Sequence, residues 1–126
     1  MANKTEPKKF RLKQASIIFI FILGVILVFT AIDYFVHSLS PDYAVPSWYF
    51  GNKIIFGTII GFIAFLFVKN KPILTKTLVV SAAIAILLQI RYYLLNYPLN
   101  FVLLFLVIHF VILLVVTYLG LRITKL

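Results

Sequence analysis

Four stretches of the chain are almost free of charge, and short polar segments punctuate them. Gln14 to Ile32 is the first, and the apolar pattern continues to Val36. The pattern predicts helices over roughly 16–36, 48–68, 73–93 and 101–121. Each is about 20 residues long, the length a helix needs to cross the hydrocarbon core at about 1.5 Å per residue. The punctuation is of the turn-forming kind: Ser40-Pro41, Val45-Pro46, Lys69-Asn70-Lys71-Pro72 and Asn96-Tyr97-Pro98. Ser47 is the expected N-cap of the second helix, and Pro72 the expected first residue of the third. The tight 69–72 turn makes the second and third helices antiparallel neighbours. Trp48, Tyr49 and Phe50 read as an aromatic belt at the membrane interface.

The first span has a basic start, as a signal peptide does. Its uncharged run is longer than a signal core of about 7–15 residues, and no small-x-small cleavage site follows, so it reads as a retained helix. The expected fold class is therefore all-α: an integral membrane four-helix bundle with four transmembrane helices. The expected organisation is a basic flank over 1–14, one transmembrane domain over 15–122 and a short tail over 123–126.

Composition agrees. The 126 residues are 63% hydrophobic and only 12% charged, where a soluble domain is about a quarter charged. With no cysteine there is no disulfide framework and no thiolate metal site. The net charge of +9 would suggest nucleic acid in a soluble domain. Here the charge flanks apolar spans, so topology and anionic headgroups explain it and no nucleic-acid partner is expected. Ten of the twelve Lys and Arg fall on one side: Lys4, Lys8, Lys9, Arg11, Lys13, Lys69, Lys71, Lys76, Arg122 and Lys125. Lys53 and Arg91 fall on the other. The positive-inside rule makes the first side cytoplasmic and predicts an N-in/C-in topology. The richness in Ile, Lys and Tyr and the small size suggest the cell membrane of a bacterium or archaeon.

The candidate chemistry lies toward the outer ends. Asp33 sits about 6 Å below the outer end of the first predicted helix, Lys53 about 7 Å below that of the second, and Arg91 about 3 Å below that of the third. An unpaired charge at the bilayer centre costs about 2.5–3.5 kcal/mol on insertion scales. Asp33 is therefore expected to face inward and pair with Lys53 or Arg91. His37, four residues on, shares its helix face, and Thr30 extends the stripe. Asp33, His37, Lys53, Arg91, Tyr92 and Asn96 form the candidate outer cluster. His109 is the deepest ionisable residue, about 12 Å below the outer end of the fourth helix on the same reckoning. That depth places it too far below His37 for one ion to reach both. No metal or other cofactor is expected on these grounds.

Packing signals are small residues. Gly57 and Gly61 form a GxxxG pair on the second helix, and Ser81 and Ala85 on the third fall at matching depths. They suggest a close contact of these two helices, or a dimer seam. The fourth helix is apolar all round apart from His109, which suits lipid or a partner's helices.

Three functions fit. The first is a structural or interaction subunit, or an assembly factor, of a membrane complex, with a membrane-protein partner or self-association. The second is a small transporter or ligand-binding carrier using the outer polar cluster. The third is a membrane enzyme acting on lipid at the outer leaflet, with Asp33 and His37 as acid and base. No nucleophile or second acid accompanies that pair, so enzymatic chemistry has the least support.

Overall fold

A computed structural model of the chain describes residues 6–126, with side chains from Arg11 onward. Lys4 of the basic flank lies outside the described residues, and the side chains of Lys8 and Lys9 lie outside the described ones. The elements are α1 (Glu6–His37), a 3-10 turn (Pro41–Tyr43), α2 (Trp48–Val68), α3 (Ile73–Leu94) and α4 (Leu99–Thr124). Most of the described residues are helical, and they contain no strand. All four helices are long and apolar enough to cross a membrane. Lipid offers no partner for backbone N–H and C=O groups, so a spanning segment satisfies them within its own helix.

The helices run alternately up and down, and each packs on two neighbours: α1 on α2, α2 on α3, α3 on α4, and α4 back on α1. The ring has two ends. His37, Ser47, Asn96 and Leu99 lie at one, here the His37 end. Val68, Ile73 and Thr124 lie at the other, where Lys76 Nζ donates to the Leu126 carbonyl and lies over the Phe65 ring. Lys76 is buried there rather than reaching out of the bundle as a snorkelling side chain would.

The buried faces follow a four-residue repeat. In α1 the row is Ile18, Ile22, Ile26, Thr30 and, one step off, Phe29, Asp33 and His37. In α2 it is Tyr49, Lys53, Gly57, Gly61 and Phe65. In α4 it is Val102, Phe105, His109, Leu113, Thr117 and Leu121. Such i±4 rows are the ridges that neighbouring helices interlock. The opposite faces remain apolar and exposed, as Phe35, Phe67, Val107 and Ile123 show, because lipid is their solvent.

Two expectations about helix ends change. Ser47 lies at the N-cap position of α2 but in helical conformation, and its side chain makes no capping bond. Pro72 is the residue before α3, not its first, and its carbonyl accepts from Lys76 N–H at 3.0 Å. The end of α3 explains Asn96. Asn96 has φ 70° and donates its backbone N–H to the Tyr93 carbonyl (3.1 Å), while Tyr97 N–H donates to the Tyr92 carbonyl (3.2 Å). This pair of bonds is a Schellman cap, and asparagine tolerates the left-handed position it needs. Asn96 is exposed and stays apart from the buried cluster.

The glycine pair also differs from expectation. A Cβ on Gly57 would meet Ile26 of α1 at 3.1 Å, so Gly57 faces α1 and not Ala85. A Cβ on Gly61 would lie 2.9 Å from both Ile22 of α1 and Ile84 of α3. Gly61 thus lets α2 sit down between two neighbours at once, whereas Gly24 has nothing within 4 Å. Gly61→Val should destabilise the bundle by about 1–3 kcal/mol through overpacking, and Gly24→Val should not. Thermal unfolding of the two variants in the same detergent checks this, and equal melting temperatures would refute the assignment.

A buried charged cluster at the His37 end

Three helices deliver one ionisable side chain each to the bundle interior. Asp33 comes from α1, Lys53 from α2 and His109 from α4, and all three have zero exposure. Their helix rows supply the reason: each falls on the inward four-residue ridge of its helix. Lys53 Nζ donates to Asp33 Oδ2 in a fully buried ion pair. His109 Nε2 lies 2.9 Å from Asp33 Oδ1 and 3.1 Å from Lys53 Nζ. His37 joins from the following turn of α1, with Nε2 3.2 Å from Asp33 Oδ2. One carboxylate is therefore surrounded by an ammonium and two imidazoles.

The tautomer of His37 follows from its other nitrogen. Nδ1 lies 2.6 Å from the Tyr43 carbonyl, which can only accept, so Nδ1 carries the proton and donates. On the other side of the ring, Nε2 faces the Asp33 carboxylate, which Lys53 also contacts. The same bond ties the 3-10 turn to the cluster, so His37 links the 38–47 connection to the buried charge.

Aromatic rings wall the cluster. His37 stacks on Phe105 of α4 with centroids 4.2 Å apart and planes within 3°. Phe29 meets His109 edge-on at 5.2 Å. Lys53 Nζ lies 4.3 Å from the Tyr49 ring centroid, and Tyr49 stacks on Tyr92 of α3 at 4.4 Å. Ring faces attract an ammonium and keep the ion pair in an environment of low dielectric.

Of the residues singled out from sequence, Asp33, His37, Lys53 and Tyr92 come together here. Arg91 does not. Its guanidinium lies 4.2 Å over the Phe56 ring centroid, and among the described residues it makes no ion pair. Of the two cations offered to Asp33, Lys53 takes it, because Lys53 lies on the inward row of α2 while Arg91 is half-buried where α3 meets Phe56 of α2.

His109 overturns the depth reckoning. Counting from flush helix ends separates it from His37, yet both reach Asp33. The reason is stagger. Helix α4 begins at Leu99, and the last residue of α1 stacks on Phe105, six residues into α4. That offset of about 9 Å brings His109 level with Asp33. Asp33, His37 and His109 each then place one ligand-type atom within 4.8 Å of the other two.

Sequence reasoning also missed Tyr49, Thr58 and Thr117. Tyr49 was assigned to the interface belt and is fully buried. The usable signal was spacing: Tyr49 precedes Lys53 by four residues, and Thr117 follows His109 by eight. The hydroxyls of Thr30, Tyr49, Thr58, Ser81, Tyr92 and Thr117 are buried and have no hydrogen-bond partner among the described residues, and His109 Nδ1 likewise has none. Thr58, Ser81 and Thr117 place such atoms on α2, α3 and α4, further from the His37 end than the cluster. Above the cluster, at the His37 end, a groove of about 400 Å³ opens between α1, the 3-10 turn and α2, lined by Tyr34, His37, Ser40, Val45 and Phe50. His37 is the cluster member that reaches it.

Fold and cluster together define a class: a polytopic α-helical membrane protein with a charged site enclosed by its own helices. Comparison of the chain with protein families, with curated proteins and with solved structures returns no match in any of the three. The functional reading therefore rests on the site.

The ion pair has a testable energetic signature. Lys53→Met leaves Asp33 buried without its cation and should cost about 3–5 kcal/mol, whereas Asp33→Asn/Lys53→Met removes both charges and should recover most of that loss. A double-mutant cycle of thermal stability in detergent measures it. Additive losses would mean the two residues do not interact.

Proposed function

We propose that this protein is a small membrane carrier that binds a cation at the Asp33 cluster. The observation that carries the reading is the placement of Asp33: shielded from lipid, contacted by groups from three helices, and joined through His37 to a groove at one end of the bundle. Ionisable residues held inside a membrane bundle mark ion and substrate paths more often than they serve stability. A buried ion pair is itself weak evidence for stability, because desolvation offsets the attraction. The buried hydroxyls of Thr58, Ser81 and Thr117, unpartnered among the described residues, add polar groups further from the His37 end.

The compensation of Asp33 by Lys53 favours a second reading, in which the cluster clamps α1, α2 and α4 and the protein serves as a structural subunit or assembly factor of a membrane complex. Its exposed apolar faces would then meet a partner's helices. The two readings separate in one preparation. As a carrier, the protein purified without a companion chain and reconstituted in liposomes carries a cation flux, read by entrapped indicator dyes for protons, potassium and divalent ions. The charge-balanced Asp33→Asn/Lys53→Met variant loses it. Equal flux from protein-loaded and empty liposomes, together with a stoichiometric companion in the native membrane, would overturn the carrier in favour of the subunit.

We also propose that the groove faces the outside of a bacterial or archaeal cell, with both chain ends in the cytoplasm, on the asymmetry of Lys and Arg. The absence of cysteine makes this directly measurable. In intact cells, a membrane-impermeant maleimide should label Ser40→Cys and Asn96→Cys but not Asn70→Cys. The reverse labelling would invert the topology and put the groove inside.

A further inference from the structure

Two imidazoles and a carboxylate converge on one point, and their second nitrogens and chain neighbours decide what that point suits. We propose that Asp33, His37 and His109 form a binding site for a divalent late first-row transition-metal ion, and that the Lys53 ammonium is a tethered cation that holds the site when the metal is away. The inference deepens the carrier reading and rests on it only for transport, since the binding site is testable by itself.

The donor set comes first. Two His and one carboxylate with further positions open suit ions such as Zn²⁺, Fe²⁺ or Co²⁺. Donors to one such ion at about 2.0–2.2 Å lie about 2.8–3.6 Å from one another, the shorter separations octahedral and the longer tetrahedral. His109 Nε2 lies 2.9 Å from Asp33 Oδ1 and His37 Nε2 lies 3.2 Å from Asp33 Oδ2, so the two oxygens of the carboxylate each face one imidazole, and one donor atom from each of the three residues lies within 4.8 Å of the other two. A shift of the two rings toward each other completes the set.

The supporting groups come second. A ligating histidine normally donates its other N–H to a carbonyl or carboxylate, which fixes the tautomer that offers a lone pair to the metal. His37 Nδ1 does this to the Tyr43 carbonyl at 2.6 Å, and its buried Nε2 faces the Asp33 carboxylate. His109 Nδ1 has no such partner among the described residues, and its ring is placed instead by Phe29, which meets it edge-on and leaves Nε2 toward Asp33. Access comes third. His37 lines the groove of about 400 Å³ at its end of the bundle, so an ion entering there meets a ligand first and the carboxylate next.

Lys53 is the group that makes the site selective in occupancy. Its Nζ contacts Asp33 Oδ2 and lies 3.1 Å from His109 Nε2, the neighbourhood a metal would take. An ammonium and a divalent ion this close repel, so an incoming metal displaces Nζ. The face of Tyr49, 4.3 Å away, gives the displaced ammonium an aromatic resting place. Removal of the lysine charge is therefore expected to strengthen metal binding, the opposite of its effect on the folded protein without metal.

The test is a Co²⁺ titration of the full chain in detergent, purified without a histidine tag, read by ligand-field absorption in the visible and by equilibrium dialysis. Wild type should take one Co²⁺ per chain with a visible spectrum that Zn²⁺ abolishes by competition. His37→Ala and His109→Ala should each weaken binding by at least about 100-fold, more than loss of a merely supporting group. Lys53→Met should bind at least about tenfold more tightly, because a like charge a few ångströms away is gone, and its melting temperature should rise on adding Co²⁺. Absence of stoichiometric Co²⁺ binding by wild type overturns the site, whether or not Lys53→Met folds. Binding that survives both histidine substitutions overturns it as well. If divalent ions do not bind while an Asp33-dependent flux of protons or potassium persists, the metal site fails and the carrier stands. If Co²⁺ binds as described and no flux is found, the site stands and the carrier fails.

Discussion

A carboxylate cannot sit inside a membrane bundle alone, and the rest of this structure is arranged around that constraint. Transfer of a bare charge into hydrocarbon is costly enough that Asp33 needs a cation within contact distance. Lys53 provides it from the neighbouring helix, and His37 and His109 complete the shell. The contact fixes how α1 meets α2 and how far α4 slides along α1. It also sets the level at which the aromatic residues gather, since Phe29, Tyr49 and Phe105 all lie against the charged groups. The four-residue rows below then carry the packing with Ile22, Ile26, Gly61, Ile84 and Leu113 to the other end.

The organisation separates two kinds of surface that a soluble bundle would distinguish by hydrophobicity. Here the lipid-facing residues are as apolar as the core or more so, because lipid tails exert no drive to bury them. What marks the inward faces is polarity and size: Asp33, Lys53, Ser81, Gln89, His109 and Thr117 among polar residues, and Gly57 and Gly61 among small ones. Buried polar groups in lipid are expensive unless matched, and some of these are matched: Gln89 donates to the Val102 carbonyl at 2.7 Å and joins α3 to α4. Others have no partner among the described residues.

His37 links the interior to the aqueous end. Its two nitrogens face different things, the Tyr43 carbonyl in the connection and the Asp33 carboxylate in the core. The ring stacks face-to-face on Phe105, so it also forms part of the contact between α1 and α4. Whatever reaches Asp33 from the groove passes this residue, and any change at Asp33 is felt in the turn Pro41–Tyr43.

The sequence by itself determined the number of helices, their approximate bounds and the membrane class, because twenty-residue apolar runs between proline-bearing polar segments admit only one backbone solution in lipid. It also determined that Asp33 turns inward with His37 on the same face, since that follows from charge cost and helical period alone. Tertiary structure decided which cation Asp33 chose, where Gly57 faces and where His109 stands. Each of these depends on the rotation and axial offset of one helix against another. Near-uniform hydrophobicity hides the rotation, and counting residues from helix ends assumes an offset of zero. The stack of His37 on Phe105 sets that offset at six residues of α4, and only that contact brings His109 to the carboxylate.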